Sequence, residues 1–234
     1  MIHAWLNARS TVSVVLVEDS SSLSANPLPL QGFMVISQIM QAYSGVIEIT
    51  PGEGPAFFLR TSYLNRLKEE DLFSGAEISD EDSADLLEAA LVYGVEKAAM
   101  SYLARAEHSR FTLSQKLIKK GMDKSVINRA LDYLESVNYL NDERFAGAWL
   151  RSRSIDHAEG RIRLAAELSA RGVDKTSAKK ALDEFFGDHD ELEICRKAFR
   201  KAQISRKTEE KIRMTLAQKG FSLKFIDIVV KENI

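Results

Sequence analysis

A repeat built around three glycines constrains this chain more than any other feature. Gly121, Gly172 and Gly220 follow one another at nearly equal intervals. Four residues before each glycine stands a leucine, and eight before stands a leucine or an isoleucine, which gives each segment one apolar helix face. These positions are Leu113 and Leu117, Leu164 and Leu168, and Ile212 and Leu216. Self-similarity at a fixed period predicts an array of equivalent structural units.

The residues around each glycine predict a helix, a tight turn and a second helix. Glycine suits the left-handed position that ends a helix, the next residue can pack on the last turn, and the Asp or Ser that follows can cap the next helix. The apolar residues are Met122, Val173 and Phe221, and the caps are Asp123, Asp174 and Ser222. A preceding helix is predicted over Gly94 to Glu107, Asp142 to about Asp156, and Glu191 to about Gln203. Capping boxes are predicted at Thr112-x-x-Gln115 and Asp190-x-x-Glu193.

These patterns predict a mainly α fold with three tandem three-helix repeats forming a curved array over residues 79–234. The repeats are expected at about 79–138, 139–188 and 189–234. Residues 33–78 have the signals of a small β-containing segment, in which the runs GVIEIT and PAFFLR flank Pro51-Gly52-Glu53-Gly54 and predict a β-hairpin. Residues 1–32 contain a possible strand, Thr11 to Val17, and are expected to be a poorly ordered or irregular extension.

The net charge of −2 hides an uneven distribution of charge, because the N-terminal part of the chain is acidic and the rest is basic. Residues 1–93 hold 4 Lys or Arg against 13 Asp or Glu, whereas residues 94–234 hold 28 against 21. Such asymmetry is a hint of a polyanionic partner. Lys and Arg side chains can neutralise phosphates without reading a base sequence.

The candidate contact surface lies on the cationic faces that remain once the core is assigned. It consists of Arg144, Arg151, Arg153, Arg161, Arg163, Lys116, Lys120, Arg196 and Arg200. The alternative, that cations near helix ends complement the helix dipole, explains Lys119, Lys120, Arg171 and Lys219 at least equally well.

A second set of residues is predicted to serve the structure. The spacing of Phe145 and Trp149 favours a place in the core, although Trp149 could instead stack on a base. The start of this helix is predicted to be capped at Asn141/Asp142, with Asp142 in a structural role. The three turn glycines complete this structural motif.

No pattern of an enzyme is found in this sequence. It has no P-loop or nucleophile elbow, and Cys195 shares an apolar helix face that predicts a packed thiol. His108, His157 and His189 are scattered without the spacing of a zinc site. The acidic clusters Glu69–Asp71 and Asp80–Asp82 are better explained as helix starts than as metal or acid–base sites. We therefore expect no metal, no cofactor and no catalysis.

The single cysteine fits a reducing cytoplasm, which is the expected location. The apolar runs are far too short to cross a bilayer, and no export signal is recognised at the start of the sequence. We therefore expect no contact with a membrane.

Three phrases in the helical body resemble the RecX family of regulatory proteins. They are YLARAEHSRFTLSQKLIKKG, YLNDERFAGAWLRSR and GRIRLAAELSARGV, and the resemblance covers about Gly45 to Ile234. It implies a bacterial protein that binds the RecA recombinase filament together with single- and double-stranded DNA. It further implies inhibition of ATP hydrolysis and strand exchange, and a role in homologous recombination, DNA repair and the SOS response. A monomer is expected.

Two other functions remain as alternatives. The helix–turn–helix form of each unit could belong to a DNA-binding transcription regulator, with a recognition helix in the major groove. A helical array could also be a scaffold that binds only protein. Binding at a defined operator would favour the first, and salt-insensitive binding to a partner without affinity for DNA would favour the second.

Overall fold

The computed structural model describes residues 33–204 and 208–233. The extension predicted over residues 1–32, with the possible strand Thr11 to Val17, lies outside this range. Contacts divide the chain into two compact units, with the division between Ala90 and Leu91.

The first unit contains a four-stranded antiparallel sheet. Its strands are β1 (Phe33–Tyr43), β2 (Val46–Pro51), β3 (Phe57–Arg60) and β4 (Glu77–Ser79), in the order β3-β2-β1-β4. The predicted hairpin is confirmed as the β2–β3 pair. The sequence did not predict that β1 would pair with both β2 and β4, because its polar residues alternate weakly with apolar ones.

A buried carboxylate organises the loop that follows β3. Asp85 is 5% exposed and accepts hydrogen bonds from the backbone N–H groups of Asn65, Arg66 and Leu67. These bonds lower the pKa of Asp85 against the opposing effect of burial. Asp85 therefore fixes the conformation of this loop.

Nine helices follow in the described residues and form three consecutive groups of three. They are α1 (Asp80–Leu103), α2 (Arg110–Ile118), α3 (Lys124–Ser136), α4 (Asp142–Asp156), α5 (Arg161–Ala170), α6 (Lys175–Asp188), α7 (Glu191–Ile204), α8 (Glu209–Gln218) and α9 (Leu223–Glu232). The mainly α class with three-helix repeats is confirmed. None of the described helices combines the length and apolarity that a membrane crossing requires.

Two predicted helix boundaries are wrong. The helix start expected at Asp80–Asp82 is confirmed, but the first helix of the first repeat was expected from Gly94 to Glu107, whereas α1 runs without a break from Asp80 to Leu103. Helix α2 was expected to start with a capping box at Thr112, but its N-cap is Ser109, whose hydroxyl accepts from the Thr112 N–H. A hydroxyl three residues before an N–H satisfies one of the free donors of the first turn.

The three turns share one geometry. Gly121, Gly172 and Gly220 have φ values of 80°, 79° and 83°, a region that favours glycine. The residue two positions later starts the next helix as its cap in each repeat, because Asp123, Asp174 and Ser222 accept backbone N–H groups. The helix on each side is held by an apolar face that includes Leu117, Leu168 and Leu216, all 0% exposed.

The second and third repeats each have a core of their own. Phe145, Leu150 and Phe185 belong to the second core, and Phe145 is 8% exposed. Cys195 belongs to the third core, and burial raises the pKa of its thiol to about 11, so the reactive thiolate is suppressed at neutral pH. Ile194 packs against both cores and joins the two repeats.

Consecutive repeats are joined at equivalent positions. The Ser109 hydroxyl donates to the carbonyl of Arg171 at 2.6 Å. One repeat later, the Gly160 N–H donates to the carbonyl of Lys219 at 2.9 Å. The start of the middle helix in one repeat therefore contacts the turn of the next repeat, just before the turn glycine.

A carboxylate from the next repeat completes each junction. Asp142 accepts from the Arg110 N–H at 2.7 Å, and Glu191 accepts from the Arg161 N–H at 2.9 Å. Of the two residues expected at the capped start of this helix, Asn141 is the cap, through the Arg144 N–H, and Asp142 is not. Asp142 is the first residue of α4 and instead binds the first turn of α2, where a negative group is favoured by the helix dipole.

Candidate functional site

Four of the five arginines proposed between positions 144 and 163 lie in three separate networks. Arg144 pairs with Glu107 and donates to the carbonyls of Asn138 and Tyr139 at 3.1 and 2.8 Å. These bonds tie the first turn of α4 to the turn that precedes it and to the loop between α1 and α2. Arg144 was proposed as a contact residue, but its guanidinium donors are directed at this turn.

A second network surrounds Trp149. The guanidinium carbons of Arg153 and Arg171 lie 5.8 and 4.6 Å from the centre of its ring. Arg153 also binds both oxygens of Glu159 at 2.8 and 3.0 Å. Its hydrogen bonds lower the pKa of Glu159, a residue that is 9% exposed. Trp149 packs against the second core and carries cations over its ring, a geometry in which cation–π attraction is expected.

The same network includes Arg163. Its guanidinium lies 2.7 Å from Glu167, which also binds Arg171 at 2.6 Å. The hydrogen bond from Arg171 is the main cause of the lowered pKa of Glu167. Two arginines therefore share one carboxylate on the surface of α5.

Arg161 lies in a third network, at the other end of α5. It pairs with Asp183, and its guanidinium carbon is 4.9 Å from the centre of the Phe186 ring. The equivalent residue of the first repeat, Arg110, pairs with Asp132 at 2.7 Å. The recurrence of this pair indicates that Arg161 stabilises the repeat.

Arg151 differs from the other four arginines. It is exposed, and among residues 33–204 and 208–233 it has neither an ion pair nor a hydrogen bond through its guanidinium. One guanidinium nitrogen lies close over Gly147, one turn earlier in α4. Of the five predicted arginines, Arg151 alone is a free cation in the described part of the chain.

The two arginines proposed as contact residues in the third repeat, Arg196 and Arg200, also differ in whether they pair with a carboxylate. Arg196 binds both oxygens of Glu232 at 2.9 and 2.8 Å and also pairs with Glu193, which raises its pKa. Arg200 is exposed and has no carboxylate partner among the described residues. Arg196 therefore links α7 to α9, whereas Arg200 is available to a ligand.

In the first repeat, two lysines lie over one aromatic ring. Lys116 and Lys120 lie 5.1 and 5.0 Å from the centre of the Tyr102 ring. Lys116 also lies 3.3 Å from Nε2 of His108 and, because an ammonium can only donate, this nitrogen accepts. We call Tyr102, His108, Lys116 and Lys120 the Tyr102 cluster.

The electrostatics of the Tyr102 cluster favour an anion. Burial, followed by the charge of Lys116, lowers the pKa of His108, so its ring is neutral at neutral pH. Within the described residues, neither lysine of the cluster has a carboxylate partner. Two ammonium groups beside one ring repel each other, and a bound oxyanion would relieve this repulsion.

Sequence reasoning found only half of this cluster. Lys116 and Lys120 are four residues apart. This spacing places them on the same side of the chain, next to the turn at Gly121. Tyr102 belongs to the preceding helix, and no pattern in the sequence connects it to these lysines. In the described residues, no group of three His, Cys, Asp or Glu side chains has the geometry of a metal site.

Comparison with known proteins connects these repeats to one family. Residues 97–134 match the family model described as "RecX, first three-helix domain", and residues 141–182 match "RecX, second three-helix domain". The "Regulatory protein RecX" of Treponema pallidum strain Nichols is 33% identical over 148 residues, which cover 63% of this chain and 90% of that protein. The chain belongs to the RecX family. It is therefore placed among regulatory proteins, as its phrases suggested.

Other relatives extend the comparison. The "Regulatory protein RecX" of Geobacillus kaustophilus is 31% identical over 167 residues, which cover 69% of this chain and 62% of that protein. The RecX fold is also shared with a solved structure titled "Crystal structure of regulatory protein RecX", with a TM-score of 0.69, 20% identity, and coverage of 85% of this chain and 99% of that one. RecX from Lactobacillus salivarius gives a TM-score of 0.53 at 24% identity, covering 61% of this chain and 96% of that structure.

Proposed function

We propose that this RecX protein binds the RecA recombinase filament and its DNA, and thereby inhibits ATP hydrolysis and strand exchange. Membership of a family of regulatory proteins supports a regulatory role. The observation that carries the proposal is the Tyr102 cluster, where two lysines without a described carboxylate partner share one aromatic ring. Phosphates of single- or double-stranded DNA are the anions that this arrangement fits.

Arg151 and Arg200 are the next candidates for contact with the filament. Both are exposed cations, and neither has a carboxylate partner among the described residues. Arg144, Arg153, Arg161, Arg163 and Arg196 are better assigned to the stability of the repeats, because each pairs with a carboxylate. A charge reversal at those five positions would disturb folding as well as binding and would not test the proposal.

The test is a double charge reversal in the Tyr102 cluster. The variant Lys116→Glu with Lys120→Glu should bind single-stranded DNA about tenfold more weakly at moderate salt, and the salt dependence of binding should fall by about two ion equivalents. Inhibition of the recombinase ATPase on single-stranded DNA should weaken in parallel. Binding is measured by fluorescence anisotropy at two or more salt concentrations.

The matched control changes the same charge elsewhere. Lys224 and Lys231 are exposed on α9, so Lys224→Glu with Lys231→Glu alters the net charge equally. We expect this control to retain most of the inhibition. Equal loss of DNA binding in both variants, or full inhibition by the folded cluster variant, would refute the role of the Tyr102 cluster.

The alternatives from the sequence are tested in the same experiments. Protection of one defined operator in a footprinting assay would support a transcription regulator. Salt-insensitive binding to the recombinase, with no affinity for DNA, would support a scaffold that binds only protein. Family membership favours the recombinase proposal over both.

A further inference from the structure

A cleft lies between the second and third repeats, and no residue of the Tyr102 cluster lines it. Its volume is about 180 Å³. Leu150 and Phe185 of the second core and Ile194 of α7 contribute apolar lining. Because Ile194 packs against both cores, the cleft is built into the junction of the two repeats.

Polar and cationic groups surround this apolar lining. Lys197 is exposed, and it has no ion pair with a described carboxylate. His157 adds a ring that can donate a hydrogen bond, whereas Nδ1 of His189 already donates to the carbonyl of Phe185 at 2.9 Å. The charge of Arg153 is balanced by Glu159, which also lines the cleft, so Lys197 leaves a positive excess. A ligand with an apolar part and a negative charge fits these surroundings.

We propose that the cleft binds an acidic segment of a partner protein. One large apolar side chain of the segment lies against Leu150, Phe185 and Ile194, and a neighbouring carboxylate pairs with Lys197. The volume is suited to a single side chain, so the segment binds across the cleft and inserts only this anchor. An apolar anchor in a pocket with charges at its edge is a common arrangement at protein interfaces.

The aromatic contacts favour a protein side chain over a nucleobase. Base binding without sequence preference relies on a free aromatic face. The ring of Phe185 is stacked with His189 at 4.4 Å between centroids and meets Phe186 edge-on at 5.1 Å. One face of Phe185 is therefore occupied, whereas an aliphatic side chain needs only apolar contact.

The probe is a fluorescein-labelled synthetic peptide in which glutamates flank a leucine and a phenylalanine. Its binding to the full chain is measured by fluorescence anisotropy without recombinase or DNA. A second peptide has glutamines in place of the glutamates, and a third has serines in place of the two apolar residues. We expect only the acidic, apolar peptide to bind, with changes in the methyl NMR signals of Leu150 and Ile194.

Two variants test the position of the peptide. Lys197→Glu should lower its affinity about tenfold, because it reverses the charge at the edge of the cleft. Ser154→Trp places a large ring in the cleft and should abolish binding. Lys224→Glu is the control of equal charge, and Lys116→Glu with Lys120→Glu should bind the peptide normally. Thermal melts confirm that each variant is folded.

Several results would overturn the proposal. They are equal binding of the glutamine peptide, unchanged affinity in both folded cleft variants, or displacement of the peptide by a single-stranded oligonucleotide. Loss of DNA binding in the lysine variant with intact peptide binding would leave the cleft proposal standing. The peptide assay contains no nucleic acid or recombinase. Peptide binding by the cleft can therefore be confirmed even if the proposed function fails, and the proposed function can be confirmed even if the peptide does not bind.

Discussion

The junction between the first and second repeats and the junction between the second and third join equivalent positions by different chemistry. At the first junction a side chain makes the bond, because the Ser109 hydroxyl donates to Arg171. At the second the main chain makes it, because the Gly160 N–H donates to Lys219. A main-chain bond brings the two backbones close together. A Cβ on Gly160 would overlap the carbonyl of Gly220, whereas Ser109 carries a side chain at the equivalent position.

The three turn glycines also differ in how closely a neighbouring repeat approaches them. A Cβ on Gly172 would overlap the side chain of Phe111, and one on Gly220 would overlap the backbone of Arg163. A Cβ on Gly121 would meet no atom within 4 Å. Gly121 belongs to the first repeat, so its requirement for glycine comes only from its backbone angle. Two of the three turn glycines are therefore also required by the neighbouring repeat.

The largest expected effect is at Gly160, where the obstructing atoms belong to the backbone of the next repeat. Gly160→Ala should destabilise the body by about 3 kcal/mol, because the added methyl meets backbone atoms that a hydrogen bond holds in place. Urea denaturation followed by circular dichroism measures this loss. Gly187→Ala is the control, because its helix has open space there and alanine favours a helix by about 0.5 to 1 kcal/mol. If Gly160→Ala lowered the free energy of unfolding by less than an ordinary surface substitution does, the backbones at Gly160 and Gly220 would be farther apart than in this structure.

The two turn glycines should respond unequally to the same substitution. Gly121→Ala should cost about 1 to 2 kcal/mol, which is the penalty of the left-handed conformation alone. Gly172→Ala should cost about 1 kcal/mol more, because Phe111 must also move. The difference between the two urea midpoints isolates the contact between repeats. Equal losses would mean that Phe111 yields without cost.

A smaller effect is expected at the first junction. Ser109→Ala removes both the cap of α2 and the bond to Arg171, and should cost about 1 to 2 kcal/mol. Thr208 is the N-cap of α8 but makes no side-chain capping bond, so Thr208→Ala is the matched control and should change little. If both changes had the same effect in urea denaturation, the Ser109 hydroxyl would have no special role.

The smallest effect is a difference in the response to acid. The hydrogen bonds from Arg153 lower the pKa of Glu159, so its contribution to stability is present above the ordinary glutamate pKa and is lost as pH falls through the lowered value. Burial raises the pKa of Asp142, so its contribution has the opposite sign and is lost as pH rises through the raised value. Acid should therefore weaken the Glu159 interaction and relieve the cost of burying Asp142.

Paired variants measure this difference. Urea midpoints are compared from neutral pH to below the ordinary carboxyl pKa for Glu159→Gln and Asp142→Asn. Glu159→Gln should remove part of the loss of stability in acid, whereas Asp142→Asn should make that loss steeper. A change of the same sign in both variants would contradict the assignment of opposite shifts.

Much of the fold could be predicted from the sequence because its signals are local. Periodic leucines, a left-handed glycine and a capping residue all act within a few positions, and α4 has the predicted bounds of Asp142 and Asp156. The helix start at Asp80–Asp82 was also predicted, from its acidic residues, but the sequence did not show that this helix runs on to Leu103 in place of a helix from Gly94 to Glu107. The role of Asp142 was not predicted either, because its partner Arg110 lies in the preceding repeat.

The candidate site was harder to predict, because a sequence does not show which Lys and Arg side chains pair with a carboxylate and which remain unpaired. Arg151 and Arg153 are two residues apart in α4, yet one is exposed and unpaired within the described chain and the other binds Glu159. The neighbours that distinguish them are set by helix packing. Tyr102 was overlooked for the same reason.

The sequence by itself determined that this chain repeats a three-helix unit, where each turn falls and which faces are apolar, since these depend on contacts within one or two turns of helix. Only the tertiary structure decided which cations remain available. Arg144 meets Glu107 across 37 positions of sequence, and Arg196 meets Glu232 across 36. Such pairs form only after the helices pack, because packing alone brings distant charges within reach of each other.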